Sequence, residues 1–287
     1  MADGLFTKPS KFASLRMVGK NSLMFAPGDL SNSPSINYNN ISYESQSLIG
    51  NRPMEKQVIR EWIWRRMAQE GPRGNPYGGI PPFPGQNKAA ERLRRTSLYK
   101  ESFSVMVPPD RAQLQVRINL LQDRKRLIMA TPGLRDGFRE IPSSGIPPSR
   151  WAKAVSSVGV SQYGRKLAST LDEIGGVDLL ITGAVAVSLQ GDRIGKGTGY
   201  FDLEYMILRE IGSAGEKTRV IAVVDDLQVF KELTWNERDV SIDLIVTPTK
   251  SIPVHHPRPR PKGIDWLSLQ PRQLRRMRPL REIRKSR

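Results

Sequence analysis

Gly191–Asp202 reads GDRIGKGTGYFD. Gly195, Gly197 and Gly199 alternate there with Lys196 and Thr198. Glycine suits backbone at positive φ and places where the main chain must approach a ligand closely. Just upstream lie two apolar stretches, Val177–Ile181 (VDLLI) and Ala184–Ser188 (AVAVS). Just downstream, residues 201–211 carry a helical period. A glycine loop between a strand and a helix directs main-chain N–H groups toward a helix N-terminus, which is an anion site. Lys196 and Arg193 would add positive charge to bound phosphates. The run has no Gly-Lys-Ser/Thr and so is no Walker loop. Two readings stand at this point: a phosphate-binding loop, and a tight turn with structural glycines.

Working outward, residues 219–224 (RVIAVV) and 242–247 (IDLIVT) read as further buried strands. On the other side, residues 55–70 (EKQVIREWIWRRMAQE) place Val58, Ile59, Trp62, Ile63 and Met67 at helical spacing. A Gly/Pro loop follows over 71–85. The pattern then predicts a helix over 86–98, a strand over 103–107, a helix over 113–122 and a strand over 126–130. Residues 132–148 read as loop, and 153–174 as linker and helix. Trp62 and Trp64 admit a reading as a base-stacking platform; the helical period instead puts Trp62 in the core and Trp64 elsewhere on the helix. Strands alternating with helices predict an α/β fold: a mainly parallel sheet with helices on both faces, a Rossmann-like three-layer arrangement.

Composition sets the limits. The chain has 287 residues, 38% hydrophobic, with 24 glycines and 22 prolines, so part of it is expected to lie outside a packed core. The expected organisation is a basic low-complexity arm over 1–53, an α/β domain over 54–250 and a Pro/Arg-rich basic extension over 251–287. The chain contains no cysteine, which excludes disulfides, thiolate catalysis and Cys-ligated metals. Its two histidines are the adjacent His255 and His256, outside the expected domain and without a carboxylate cluster, so no His-ligated metal is expected. No apolar run reaches the roughly 18 residues of a membrane span.

Charge is unevenly placed. Of the net +17, +9 falls in residues 251–287, which hold 11 basic and 2 acidic residues. Such a tail suits a polyanion, because each Lys or Arg near a phosphate releases counterions; the alternative is a solubilising tail. The residues expected to meet RNA are Arg258, Arg260, Lys262, Arg272, Arg275, Arg276, Arg278, Arg281, Arg284, Lys285 and Arg287. Residues 254–261 (VHHPRPRP) favour extended polyproline conformation, and Pro271 and Pro279 are expected to confine any helix to the residues between them. Near the other end, Lys8, Lys11, Arg16 and Lys20 stand among Phe, Leu and Met with no acid from Gly4 to Gly28. That pattern resembles an organelle-targeting presequence, with a mitochondrial address expected before a cytoplasmic or plastid one, while Asp3 favours an ordinary basic arm.

Several ordered motifs together resemble the 5-formyltetrahydrofolate cyclo-ligase (methenyltetrahydrofolate synthetase) family. RIGKGTGYFD resembles the family's R-x-G-x-G-x-G-Y-x-D loop, and VDLLITGAVAVS and DLQVFKELTWNERDVSIDLIVTPT flank it as family strands do. Lys56-x-x-x-Arg60 resembles an N-terminal basic pair; PPFPGQNKAAERL and MATPGLRDGF have counterparts; RPKGIDW, residues 260–266, resembles a signature of the divergent, cyclo-ligase-like branch. The resemblance implies an ATP site. Lys56, Arg60, Arg193, Gly195, Lys196, Gly197 and Gly199 would contact phosphates, Tyr200 would pack beside the nucleotide, and Asp202 would hold Mg²⁺ or orient the loop. It also implies a reaction in which ATP phosphorylates the formyl oxygen of 5-formyltetrahydrofolate before ring closure. Four positions depart from the family pattern: the folate-contacting acid expected within 113–117 (QLQVR), the basic residue expected at Gly133, and the histidines expected at Arg238 and Asp225. The lost ligand residues and the basic tail together favour a non-catalytic, structural or RNA-associated component of a ribonucleoprotein, such as an organellar ribosome. The alternative is an ATP-dependent 5-formyltetrahydrofolate cyclo-ligase or related folate ligase, bringing nucleotide and folate as partners.

Overall fold

The computed structural model describes residues 48–49, 52–53, 55–69 and 75–286. The targeting pattern within 1–28 and Arg287 lie outside the described residues. The strands are β1 (Leu48–Ile49), β2 (Arg52–Pro53), β3 (Ser104–Met106), β4 (Arg126–Ala130), β5 (Phe138–Ile141), β6 (Arg165–Lys166), β7 (Leu179–Thr182), β8 (Ala186–Ser188), β9 (Arg193–Ile194), β10 (Arg219–Val223), β11 (Val229–Phe230), β12 (Leu244–Val246) and β13 (Ser251–Pro253). The helices are α1 (Lys56–Gln69), α2 (Gln86–Arg94), α3 (Ser97–Glu101), α4 (Leu114–Gln122), α5 (Trp151–Ala154), α6 (Gly159–Tyr163), α7 (Leu171–Ile174), α8 (Tyr200–Glu210), α9 (Pro271–Arg276) and α10 (Arg278–Lys285).

Eight strands form the main sheet in the order β13-β12-β10-β7-β3-β4-β5-β6. The five from β12 to β4 are mutually parallel, and β13, β5 and β6 join antiparallel at the edges. Alternation along each strand feeds two cores. Val105, Leu127, Leu179 and Ile221 pack with α1, α2 and α4 on one face. Met106, Ile128, Leu180 and Val220 pack with α8 and α10 on the other. A strand buried on both faces is a continuous apolar run, which is why VDLLI and RVIAVV stand out in the sequence. The three-layer α/β expectation therefore holds.

The local differences have physical causes. Ala186–Ser188 is not a main-sheet strand: β8 pairs with β9 and β11 in a separate three-stranded sheet. Within the expected loop 132–148, Phe138–Ile141 forms β5, folded back on β4. Its two buried residues, Phe138 and Ile141, stand at its ends, which is no alternating signal. Trp64 is buried like Trp62, its indole donating to the Gly79 carbonyl at 3.0 Å, so neither ring is a platform for bases.

The C-terminal residues pack onto the domain. Strand β13 extends the sheet, and Met277, Leu280 and Ile283 are buried in the core beneath α8. The Ser169 amide donates to Glu282, and Arg278 to the Leu167 carbonyl. Helix α10 runs on past Pro279 because that proline sits in the first turn, where the missing N–H has no intrahelical partner to lose.

Candidate functional site

The parallel strands diverge in chain order at the β3/β7 boundary: β4 lies to one side, β10 and β12 to the other. Such a switch point leaves a crevice at the carboxyl ends of the strands. A pocket of about 360 Å³ sits there. Its walls are Pro108–Asp110 after β3, Thr131–Gly133 after β4, and Gly183 after β7. The glycine loop closes it, contributing Gly195, Lys196, Thr198, Gly199 and Tyr200.

The loop joins β9 to α8, as the sequence predicts. Gly197 (φ 97°) and Gly199 (φ 66°) occupy the left-handed region, which explains their identity. Gly199 precedes α8, and no side chain caps that end. The first-turn N–H groups are therefore donors for a ligand, backed by the helix dipole.

Carboxylates hold the loop's cations. Nη2 of the buried Arg193 lies 2.6 Å from Oδ1 of Asp202, and its guanidinium stacks 4.6 Å from the Phe201 ring centre. The same Oδ1 accepts from the Val240 amide at 3.0 Å. Lys196 Nζ donates to Asp110 at 2.8 Å. Lys56 pairs with Asp239. Arg60 Nε donates to the Gly195 carbonyl at 2.8 Å, and burial lowers its pKa, with Asp239 opposing the shift and Arg193 adding to it. Lys56, Arg60 and Gly197 do not line the pocket; Arg60 braces the loop from behind. The other loop residues named from the sequence are brought together around the pocket.

Two buried charged residues at or behind the pocket wall escape the sequence reading. Glu204, one turn into α8, lines the pocket at 4% exposure, and its Oε2 has no hydrogen-bond partner among the described residues. Burial pushes its carboxyl up to about 8, Asp110 adding to the shift and Lys196 and Arg193 opposing it. The available signal is an acid within the otherwise apolar buried run Leu203–Leu208. Arg117, the other, is fully buried and donates to the carbonyls of Val155 (2.8 Å), Pro108 (2.6 Å) and Asp110 (2.9 Å). Burial lowers its guanidinium to about 10. It positions the wall that carries Asp110. Gln113, in the 113–117 stretch where the resemblance implies an acid, donates to the Val223 carbonyl at 2.9 Å.

Among the described residues no group of three or more His, Cys, Asp or Glu side chains is placed to hold a metal ion, and no helix is long and apolar enough to cross a membrane. Of the basic residues expected at RNA, Arg260 is engaged by Ser241, Thr218 and Asp243, and Arg278 by Leu167 and Glu282. Arg258 bridges toward Asp192 at 3.4 Å. Lys262, Arg272, Arg275, Arg276, Arg281, Arg284 and Lys285 are exposed.

The sequence model described as "5-formyltetrahydrofolate cyclo-ligase family" matches residues 53–248. The methenyltetrahydrofolate synthase domain-containing protein of Bos taurus is 37% identical over 238 residues, covering 80% of this chain and 62% of that protein. The chain thus spans about three fifths of the length of that relative. The 5-formyltetrahydrofolate cyclo-ligase of Mycolicibacterium smegmatis is 28% identical over 116 residues, 38% of this chain and 57% of that protein. The NMR structure of Aquifex aeolicus 5,10-methenyltetrahydrofolate synthetase aligns at 20% identity and a TM-score of 0.47, over 72% of this chain and 97% of that one. Since the family match takes in the pocket walls, the glycine loop and the last parallel strand, well over half of the sequence, this chain belongs to the 5-formyltetrahydrofolate cyclo-ligase family.

Proposed function

We propose that the chain is an ATP-dependent ligase acting on 5-formyltetrahydrofolate or a closely related folate. The observation that carries this reading is the pocket at the strand switch point, closed by the glycine loop and the uncapped start of α8. The free N–H groups of that helix, Lys196 and Arg193 are the donors for phosphates, and Tyr200 is the flanking ring. A transferring phosphoryl group spreads charge over its oxygens, and fixed donors in a shielded pocket stabilise it. The pocket cations meet carboxylates here, so a polyphosphate has to replace Asp110 at Lys196. Mg²⁺ is held through one or two carboxylates plus substrate phosphates in such sites, and Asp110 and Asp202 are the pocket's candidates for that role.

The test is ADP release by the purified chain with ATP and Mg²⁺. The reading expects stimulation by 5-formyltetrahydrofolate, and a loss of about 10²–10³-fold in Lys196→Met, the range for one removed transition-state donor. Release that 5-formyltetrahydrofolate does not change would count against it.

A second reading, a non-catalytic RNA-associated component, is favoured by one observation: the docked terminal helices leave Arg275, Arg281, Arg284 and Lys285 exposed. Purification from native extract with and without RNase tests it. RNase-sensitive association with ribonucleoprotein is the expected result, and an unchanged association argues against it.

A further inference from the structure

A second, larger cleft of about 870 Å³ opens beside the phosphate pocket. Five residues line both, Gly133 and Tyr200 among them, so the two form one continuous depression. Gly133 has φ 64°, and a Cβ added there would lie 3.4 Å from the Tyr200 hydroxyl. Gly133 and Tyr200 face each other where the two meet.

Beyond it the lining changes character. Arg135 comes from the loop after β4; Arg272 and Arg276 come from α9 at i, i+4 spacing, on one helix face. None of these three side chains makes an ion pair or a side-chain hydrogen bond among the described residues, and Asp136 is the single acid in the lining. The contrast with Arg193, Arg260 and Arg278, each engaged internally, is direct. The wall is fixed, because Met277, Leu280 and Ile283 anchor the adjoining chain in the core. Three unpaired guanidiniums around a concave surface make a site for carboxylate or phosphate groups, which the planar fork binds in pairs.

We propose that this cleft is a second anion site, seating a carboxylate- or phosphate-bearing arm of the second substrate while its reacting end lies in the phosphate pocket. Naming the arm's owner as the second substrate rests on the ligase reading; the anion site itself does not.

Calorimetric titration of the full chain with citrate, and separately with inorganic phosphate, both under saturating Mg-ATP, tests it. The expected result is binding of at least one probe, weakened at least about tenfold in R272E/R276E, as for charge-assisted contacts, with ATP affinity changed less than about twofold. R272A/R276A gives a smaller loss in the same direction and serves if charge reversal lowers the melting temperature. Citrate alone binding identifies carboxylates; phosphate alone identifies a phosphorylated arm. If ATP does not bind, the ligase reading falls, and the same titrations without ATP still judge the cleft. Equal affinity in wild type and both double variants, no binding of either probe, or displacement of the bound probe by ATP would each overturn the proposal.

Discussion

Arg193 and Asp202 clasp the glycine loop at its two ends, Nη2 to Oδ1 at 2.6 Å across nine residues of sequence. The Arg193 side chain is only 3% exposed, so its partner's removal leaves a buried cation unmatched. Asp202→Ala is expected to cost about 3–5 kcal/mol in urea unfolding, the range for breaking a buried pair. Replacing both, as Arg193→Met with Asp202→Leu, should cost less than the single change. A single-variant loss under about 1 kcal/mol would show that the clasp does not hold the loop.

The loop's conformation can be probed apart from its charge. Gly199 has φ 66°, and an added Cβ meets nothing within 4 Å. Gly199→Ala should therefore lose about 1–2 kcal/mol through backbone conformation alone. Gly199→Asn should lose less, since asparagine tolerates the left-handed region. Equal stability of all three proteins in thermal melts contradicts this assignment.

Glu204 gives the stability a pH signature. Burial raises its folded pKa to about 8, against roughly 4.3 in the unfolded chain. The folded state keeps a proton that the unfolded state releases. The resulting stabilisation is fully present below about pH 4 and is lost as pH rises through about 8. Glu204→Gln removes this dependence, so its stability relative to wild type should climb between pH 5 and pH 8. Denaturant midpoints at three pH values check it, and parallel profiles for the two proteins would contradict it.

The terminal helices carry a prediction opposite to that for a free tail. Leu280 is fully buried and Met277 and Ile283 nearly so. Leu280→Ala should cost about 2–5 kcal/mol, as for other core truncations. Removing residues 277–287 should impair folding, read by circular dichroism and proteolysis. A truncated chain as stable as the full one would mean that these contacts add nothing.

The sequence made the parallel strands and the glycine loop legible because strands buried on both faces, and a loop needing positive φ, leave dense local patterns. It hid what depends on distant partners. Phe138–Ile141 is a strand only because β4 stands beside it, and Arg117 reads as a surface cation until three carbonyls surround it. Met277 and Leu280 are legible as apolar positions among the arginines of the tail, but only the fold shows that they anchor it in the core. In the site, Arg193, Lys196 and Tyr200 were readable from the loop, whereas Glu204 emerges only when α8 turns it into the pocket.

The function proposed for the pocket is the family's ligase chemistry. Its most direct test is the formation of 5,10-methenyltetrahydrofolate from 5-formyltetrahydrofolate by the purified chain, followed by absorbance with and without ATP and Mg²⁺. The expected result is product that requires ATP and falls about 10²–10³-fold in Lys196→Met. No product above the protein-free control, from a chain shown to be folded and to bind both ligands, would contradict it.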